Sequence, residues 1–523
     1  METKSHLSID GVFQEQMSHN QKNLRIFKTD SENFTRVVAS LVSQNYRLAW
    51  LFGTDDRAEH KTFGVHAVLA MGGKNEWLQI SAALSEANPE YPALTKTIMA
   101  AIWYEKYLMD MFGIVAKGHP DPRRLVHHEN VPRDIHPLRK DFEWNTVMEK
   151  DDVPYPMLHV GGNGIYEIPV GPIHAGIIEP GHFRFNVAGE RIVNLEGKLF
   201  FTHKGVEKLL EGKSVFAALP YVERISDDSA ASHVLTFVQT LELIAGVHIS
   251  ERASLLRTLI AELERLTMHI HDISNIAGMG TGYTIMAAHG FRIKENLVRL
   301  SEKIFGNRFW RGFIIPGGVV RDLSEAELDL ISQTVQEIMA DMHGLLNIGL
   351  KSDGLLERMI TAGVLTLDAA KAYGAVGIAV RAIDQKMDTR IDHPYVSYDR
   401  LKFQVVTKTG GDVFARFMVR VGELDVSSQM IEELCTLLRT VKGETKVVLV
   451  LHSGEALSAV EGFRGEILHF VRLNDKGFIE RMAVRDPSFC NWPLFGEIGP
   501  GNIVPDFPLC NKSLNLSYSG NDL

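Results

Sequence analysis

Residues 249–270 constrain the fold more than any other stretch of this chain. Ile249, Leu255, Leu256, Leu259, Ile260, Leu263, Leu266 and Ile270 form one apolar stripe at helical spacing, behind Ser250, whose hydroxyl suits an N-cap. A helix of that length buries its stripe only against other long helices, so antiparallel helices are the expected core around it. A second such helix is signalled where Ser324 and Glu327 stand at capping-box spacing, with Leu323 and Leu328 placed as a hydrophobic staple.

The pattern nearer the start is different. Residues 62–82 read as a hairpin: an apolar run over 65–71, a turn at Gly72, Gly73, Lys74 and Asn75, then a second run over 77–82. Asn88 and Pro89 are expected to open a helix through Leu94, Ile98, Ile102, Leu108 and Phe112, which Gly113 ends. Residues 118–139, rich in Pro, Arg and His and without periodicity, read as an extended arm of the kind that wraps a neighbour. A linker is expected over 146–164, where a charged run precedes two prolines and a Gly-Gly-Asn-Gly stretch. Short apolar runs between Gly-Pro turns over 165–201 then suggest strands. The expected fold class is therefore α+β: a polar segment over 1–30, a small α/β domain with its arm over 31–145, the linker, and a large mainly α-helical domain with peripheral β-strands over 165–523.

At 523 residues, 45% hydrophobic and 23% charged, the chain has the composition of a globular protein with room for at least two domains. The net charge of −10, with no basic tract, argues against nucleic acid as a partner. Apolar runs stay far short of the roughly 20 residues of a membrane helix, and the polar start argues against a signal peptide. Cys435, Cys490 and Cys510 are odd in number and widely spaced, as buried free thiols in a reducing compartment would be. No CxxC pair is present, so no zinc or iron-sulfur motif lies within the chain.

Several tempting motifs have plainer explanations. Gly278, Gly280 and Gly282 follow a helical stripe rather than a strand, so a helix-breaking turn is expected there and no dinucleotide loop. His127 with His128, and His269 with His271, have spacings that do not put both rings on one helix face, so surface or capping roles are expected. Ser226, Asp227, Asp228 and Ser229 could offer oxygen ligands to a hard cation, but a solvated turn is the expectation.

Residues 104–114 (YEKYLMDMFGI), 117–125 (KGHPDPRRL) and 137–142 (PLRKDF) resemble the signature of the 30-kilodalton subunit of respiratory complex I. The later part resembles the 49-kilodalton subunit, and more closely the large subunit of formate-hydrogenlyase-type (group 4) nickel-iron hydrogenases, in which both modules are fused. The blocks that agree are 171–174 (GPIH), 179–184 (EPGHFR), 203–209 (HKGVEKL), 262–266 (ELERL), 315–319 (IPGGV), 392–395 (DHPY), 411–417 (GDVFARF) and 485–489 (RDPSF).

In such hydrogenases two CxxC pairs hold nickel and iron. The resemblance puts the lost positions at Ser226 and Ser229 and at Ser517 and Gly520. Low-valent nickel and iron want soft thiolates, whereas a serine hydroxyl stays protonated, so neither a nickel-iron centre nor hydrogen turnover is expected. The resemblance further implies that Glu179, His182, His233 and Arg464 converge near the lost metal, where they could bind a polar headgroup and pass protons to it, as complex I does with quinone. It implies an oxidoreductase subunit, inactive as an isolated chain and peripheral on the cytoplasmic side of a bacterial or archaeal plasma membrane. An iron-sulfur cluster in a small partner subunit would deliver electrons for quinone or another acceptor, beside other hydrophilic and antiporter-like membrane subunits. The alternatives are a non-catalytic scaffold coupling those subunits, and an intact hydrogenase if the ligand loops lie elsewhere.

Overall fold

The computed structural model describes residues 10–18, 21–143, 145–149, 153–174 and 178–523; part of the polar start and of the charged run at 149–152 lies outside them. The chain divides into two compact units, Met1–Pro156 and Met157–Leu523.

In the first unit, the strands β1 (Gln14–Met17), β2 (Leu24–Thr29), β3 (Arg47–Asp56), β4 (Thr62–Ala70) and β5 (Trp77–Ser85) form one sheet in the order β1-β2-β5-β4-β3. The expected hairpin is β4–β5, with Ala70 opposite Trp77 across the glycine turn. The sheet also recruits β1 and β2, which lie ahead of residue 31; β2 runs parallel to β5 because α1 (Ser31–Ser43) provides the crossover back to β3. Phe34, Val37, Val38 and Leu41 are the buried stripe of α1.

The helix expected from Asn88 begins later. Glu90–Pro92 is instead a strand, β6, paired in parallel with β7 (Val115–Lys117), and the α-helix proper, α2, spans Ile102–Phe112. The buried Glu105 carboxylate holds the intervening chain in short 3₁₀ turns by accepting from Leu94 N, Thr95 N and the Thr95 hydroxyl. β3 passes close to α2 at Gly53, where a Cβ would stand 2.8 Å from Leu108 Cδ2.

Beyond β7 the arm carries no helix or strand among the described residues. It satisfies groups that α2 leaves open at its C-terminal end. Leu138 N donates to Met111 O, Arg139 to Phe112 O, and His136 Nδ1 lies 2.9 Å from Asp110 O. Asp110 Oδ2 in turn accepts from the amides of Leu125, Val126 and His127. His127 is thereby buried, contrary to the surface role expected of it.

The second unit opens with an antiparallel sheet of β8 (Ile165–Val170), β9 (His182–Ala188) and β10 (Arg191–Lys198). Long helices follow: α3 (Ala230–Ala245), α4 (Glu251–Asn275), α5 (Thr284–Phe305), α6 (Glu325–Gly349) and α7 (Val413–Thr440). α4 is the helix of the apolar stripe, capped by Ser250, which accepts from Ala253 N; α7 and α5 pack on it. Ser324 and Glu327 form the capping box of α6. α4 ends in a π-turn at Ile276–Gly280, the helix-breaking turn expected of the glycine cluster.

A second antiparallel sheet, β11 (Gly454–Gly462), β12 (Gly465–Leu473) and β13 (Ile479–Arg485), packs against α3. The chain then runs through short helices to α8 (Tyr518–Asp522). The three cysteines are buried, and none is in a disulfide among the described residues. No helix among the described residues is long and apolar enough to cross a membrane.

Candidate functional site

The two loops singled out as lost ligand loops meet in space although they are 291 residues apart: Ser226 Oγ lies 2.9 Å from Ser517 Oγ. Each is fixed by the start of a helix. On one side, Ser226 and Ser229 precede α3, whose first-turn amides Ala231 N and Ser232 N donate to Glu264, a buried carboxylate on α4. On the other, Ser517 is the N-cap of α8, accepting from Gly520 N at 2.8 Å. Gly520 is tightly surrounded: a Cβ there would stand 2.7 Å from Asp486 Oδ2 and 3.1 Å from Ser517 Oγ.

Two charged systems flank these serines. Arg464 sits in the turn between β11 and β12 and makes a bidentate pair with Asp228, Nη1 to Oδ1 at 2.7 Å and Nη2 to Oδ2 at 2.5 Å. It also donates to Asn515 O, and Ser229 Oγ is 3.4 Å from its Nη1. Burial pushes the Asp228 carboxyl up, but the Arg464 charge and hydrogen bonds, helped by Ser226, outweigh it and hold Asp228 at about 2. Asp228 is thus an ion-pair partner rather than part of the solvated turn expected of it; Asp227 is the exposed member, paired with Arg311 at 2.6 Å.

The second system is wholly buried. His233, one turn into α3, has Nε2 3.2 Å from Asp486 Oδ2 and Nδ1 3.1 Å from His469 Nε2 on β12. Asp486 also caps the next short helix through Ser488 N, and the Ser488 hydroxyl accepts from Ser517 N, which returns the network to the serine pair.

Glu179 approaches from a third side. Its Oε2 accepts from Ser519 N at 3.2 Å, while Lys204 donates to the Ser519 carbonyl and hydroxyl at 2.9 and 2.6 Å. Burial raises the Glu179 carboxyl above the usual range, Asp228 and Asp522 adding to the rise against Ser519 and Lys204. His182, at the head of β9, is half-buried with Nδ1 3.2 Å from Gly171 O. Its neighbour Gly181 comes so close to α8 that a Cβ would stand 2.6 Å from Tyr518 Cε1.

Of the four residues expected to converge, Glu179 and Arg464 reach the two serine loops directly and His233 reaches them through Asp486 and Ser488, whereas His182 makes no hydrogen bond to any of these. Sequence reasoning missed His469 and Asp486 as site residues. Asp486 had a local signal, since an aspartate before Pro487 is a ready N-cap; His469 had none. His269, expected at the surface, is fully buried with Nε2 2.7 Å from Glu423.

Comparison with known proteins matches the chain to two families in series. Residues 27–147 match "Respiratory-chain NADH dehydrogenase, 30 Kd subunit", and residues 280–449 and 440–522 match the corresponding "49 Kd subunit". Hydrogenase-4 component G of Escherichia coli is 32% identical over 480 residues, covering 90% of this chain and 83% of that protein. Formate hydrogenlyase subunit 5 of the same organism is 30% identical over 481 residues, 91% and 84% of the two chains. The fused C/D polypeptide of NADH-quinone oxidoreductase from Bdellovibrio bacteriovorus is 27% identical over 502 residues, 89% and 88% of the two. The chain therefore belongs to the family of fused 30 Kd and 49 Kd-type subunits that these hydrogenase components and C/D polypeptides share.

Proposed function

We propose that this chain is a subunit of a membrane-associated, ion-translocating oxidoreductase, that it holds no nickel-iron centre, and that it takes electrons from an iron-sulfur partner subunit for quinone or another acceptor. The names of its relatives, hydrogenase components and NADH-quinone oxidoreductase subunits, support the class of complex. One observation carries the reading of the site: the four lost ligand positions supply three hydroxyls and a glycine, already closed on one another by the Ser226–Ser517 contact. Hydroxyls keep their protons at neutral pH, and a side chain at 520 would collide with Asp486, so these residues do not fit a thiolate-bound metal pair.

What remains suits proton and headgroup chemistry. Glu179, half-buried and raised by burial, would give up a proton to a reduced acceptor, and His182, at the head of β9, would offer a half-buried imidazole. Arg464 and His233 are engaged by Asp228 and Asp486. The assembly would sit on the cytoplasmic face of a bacterial or archaeal plasma membrane, beside antiporter-like membrane subunits.

A second reading, a scaffold without catalysis, is favoured by the engagement of Arg464 and His233 with those carboxylates. The purified complex decides between them. Iron without nickel, no viologen-linked hydrogen oxidation, and quinone reduction lost in Glu179→Gln and His182→Ala would support the electron-accepting role. Quinone reduction unchanged by both substitutions would leave the scaffold, and stoichiometric nickel with hydrogen oxidation would overturn both readings.

A further inference from the structure

Away from the serine loops, the hairpin that carries Arg464 encloses an unusual pair. Glu461 on β11 and Glu466 on β12 are direct cross-strand partners, and both side chains are 2% exposed. Like charges placed opposite one another on a sheet repel, and in a buried setting the repulsion is not screened by water. Between them stands the Thr389 hydroxyl, 3.0 Å from Glu461 Oε2 and 3.3 Å from Glu466 Oε2. A hydroxyl has one hydrogen, so it can donate to only one of the two carboxylates.

The surrounding charges do not balance. Glu466 has Arg485 at 3.0 Å. Glu461 belongs to a buried set in which Glu262, Asp388, Glu423 and Glu461 are joined by ion pairs to Arg265, Arg381 and Arg390. Four carboxylates meet three guanidiniums, and the further basic group in the set is His269, on Glu423. His269 is a poor home for the missing positive charge: its Nδ1 is buried without a partner among the described residues, so an imidazolium would strand an N–H.

The carboxylates are unequal. Glu262 accepts from Arg265, Arg390, Tyr398 and Ser427, Glu423 lies in ion pairs with Arg381 and Arg265 and within 2.7 Å of His269 Nε2, and Asp388 is bridged by Arg390. Glu461 has the single guanidinium of Arg381 and the amide and hydroxyl of Thr389. Tyr395 does not help, because its hydroxyl accepts from the Glu461 backbone amide.

We propose that Glu461, Thr389 and Glu466 form a buried proton-holding site, in which Glu461 is a carboxylic acid at neutral pH that donates to Thr389 Oγ1 while the threonine hydroxyl donates to Glu466. Burial, with Asp388 beside it, raises the Glu461 carboxyl, in keeping with that assignment. The same geometry moves the proton without net change of charge: the Glu461 proton passes to Thr389 Oγ1 as the threonine proton passes to Glu466 Oε2. This site is independent of whether the serine loops bind an acceptor.

The test is infrared spectroscopy of the purified complex at neutral pH, reading the C=O stretch of protonated carboxylic acids as a difference between wild type and variants. The wild type is expected to show a band that Glu461→Gln abolishes, that Thr389→Val shifts and that Thr389→Ser keeps in place. Glutamine mimics the protonated acid, so Glu461→Gln is also expected to keep the wild-type thermal midpoint, whereas Glu423→Gln, which removes a true carboxylate, lowers it. A difference spectrum without a carboxylic band, or a Glu461→Gln protein that unfolds as readily as Glu423→Gln, would overturn the proposal.

Discussion

Replacing Asp228 by Asn tests the electrostatics of the site most directly. The substitution keeps the shape of the side chain and removes the charge that faces Arg464, whose side chain is 4% exposed. The Asp228 carboxyl falls from an ordinary 3.8 to about 2 in the folded chain, and each unit is worth ~1.4 kcal/mol, so the upper bound is ~2.5 kcal/mol. About a third of the Asp228 side chain still meets water, which screens the pair, and the expected loss is nearer ~1–2 kcal/mol. Because the folded value is the lower one, the contribution is complete above pH 3.8 and disappears as pH falls through about 2. The assay is urea unfolding of the full chain at pH 7, followed by near-UV circular dichroism, for Asp228→Asn, Arg464→Gln and the double variant. A coupling of ~1–2 kcal/mol between the two positions is expected. Strict additivity, or an Asp228→Asn protein as stable as wild type, would refute the reasoning.

Three further outcomes follow from the same geometry. Gly520→Ala drives a methyl against Asp486 and Ser517 and is expected to cost ~1–3 kcal/mol in thermal or urea unfolding. Glu105→Ala strands the amides of Leu94 and Thr95, with an expected loss of ~3 kcal/mol or more and faster proteolysis of the first unit. For Glu179, raised by burial, the native chain favours the protonated form, so its contribution is complete below pH 4.5 and fades as pH rises through the folded value; the thermal midpoint of Glu179→Gln is expected to gain on wild type over that rise.

Features set by neighbours in sequence could be read without a structure. The β4–β5 hairpin follows from alternating apolar runs about a glycine turn, and the starts of α4 and α6 follow from Ser250 and the Ser324–Glu327 box. Failures came where a distant group decided a local choice. The pairing of β6 with β7, and the grip of Glu105 on residues 94 and 95, delayed α2 to Ile102 against a helical pattern. His269 had the spacing of a surface residue, yet α7 brings Glu423 to within 2.7 Å of it and makes it part of the core.

The sequence by itself determined the two modules, their order and the long capped helices, because each of these depends on residue type and short-range spacing. Only the tertiary structure decided that Ser226 and Ser517 close on each other, that Arg464 spends its charge on Asp228, and that His233 rests between Asp486 and His469. It alone placed Thr389 between Glu461 and Glu466. Charge and hydrogen-bond partners in a buried site are chosen by which backbones pack together, and no local pattern records a partner hundreds of residues away.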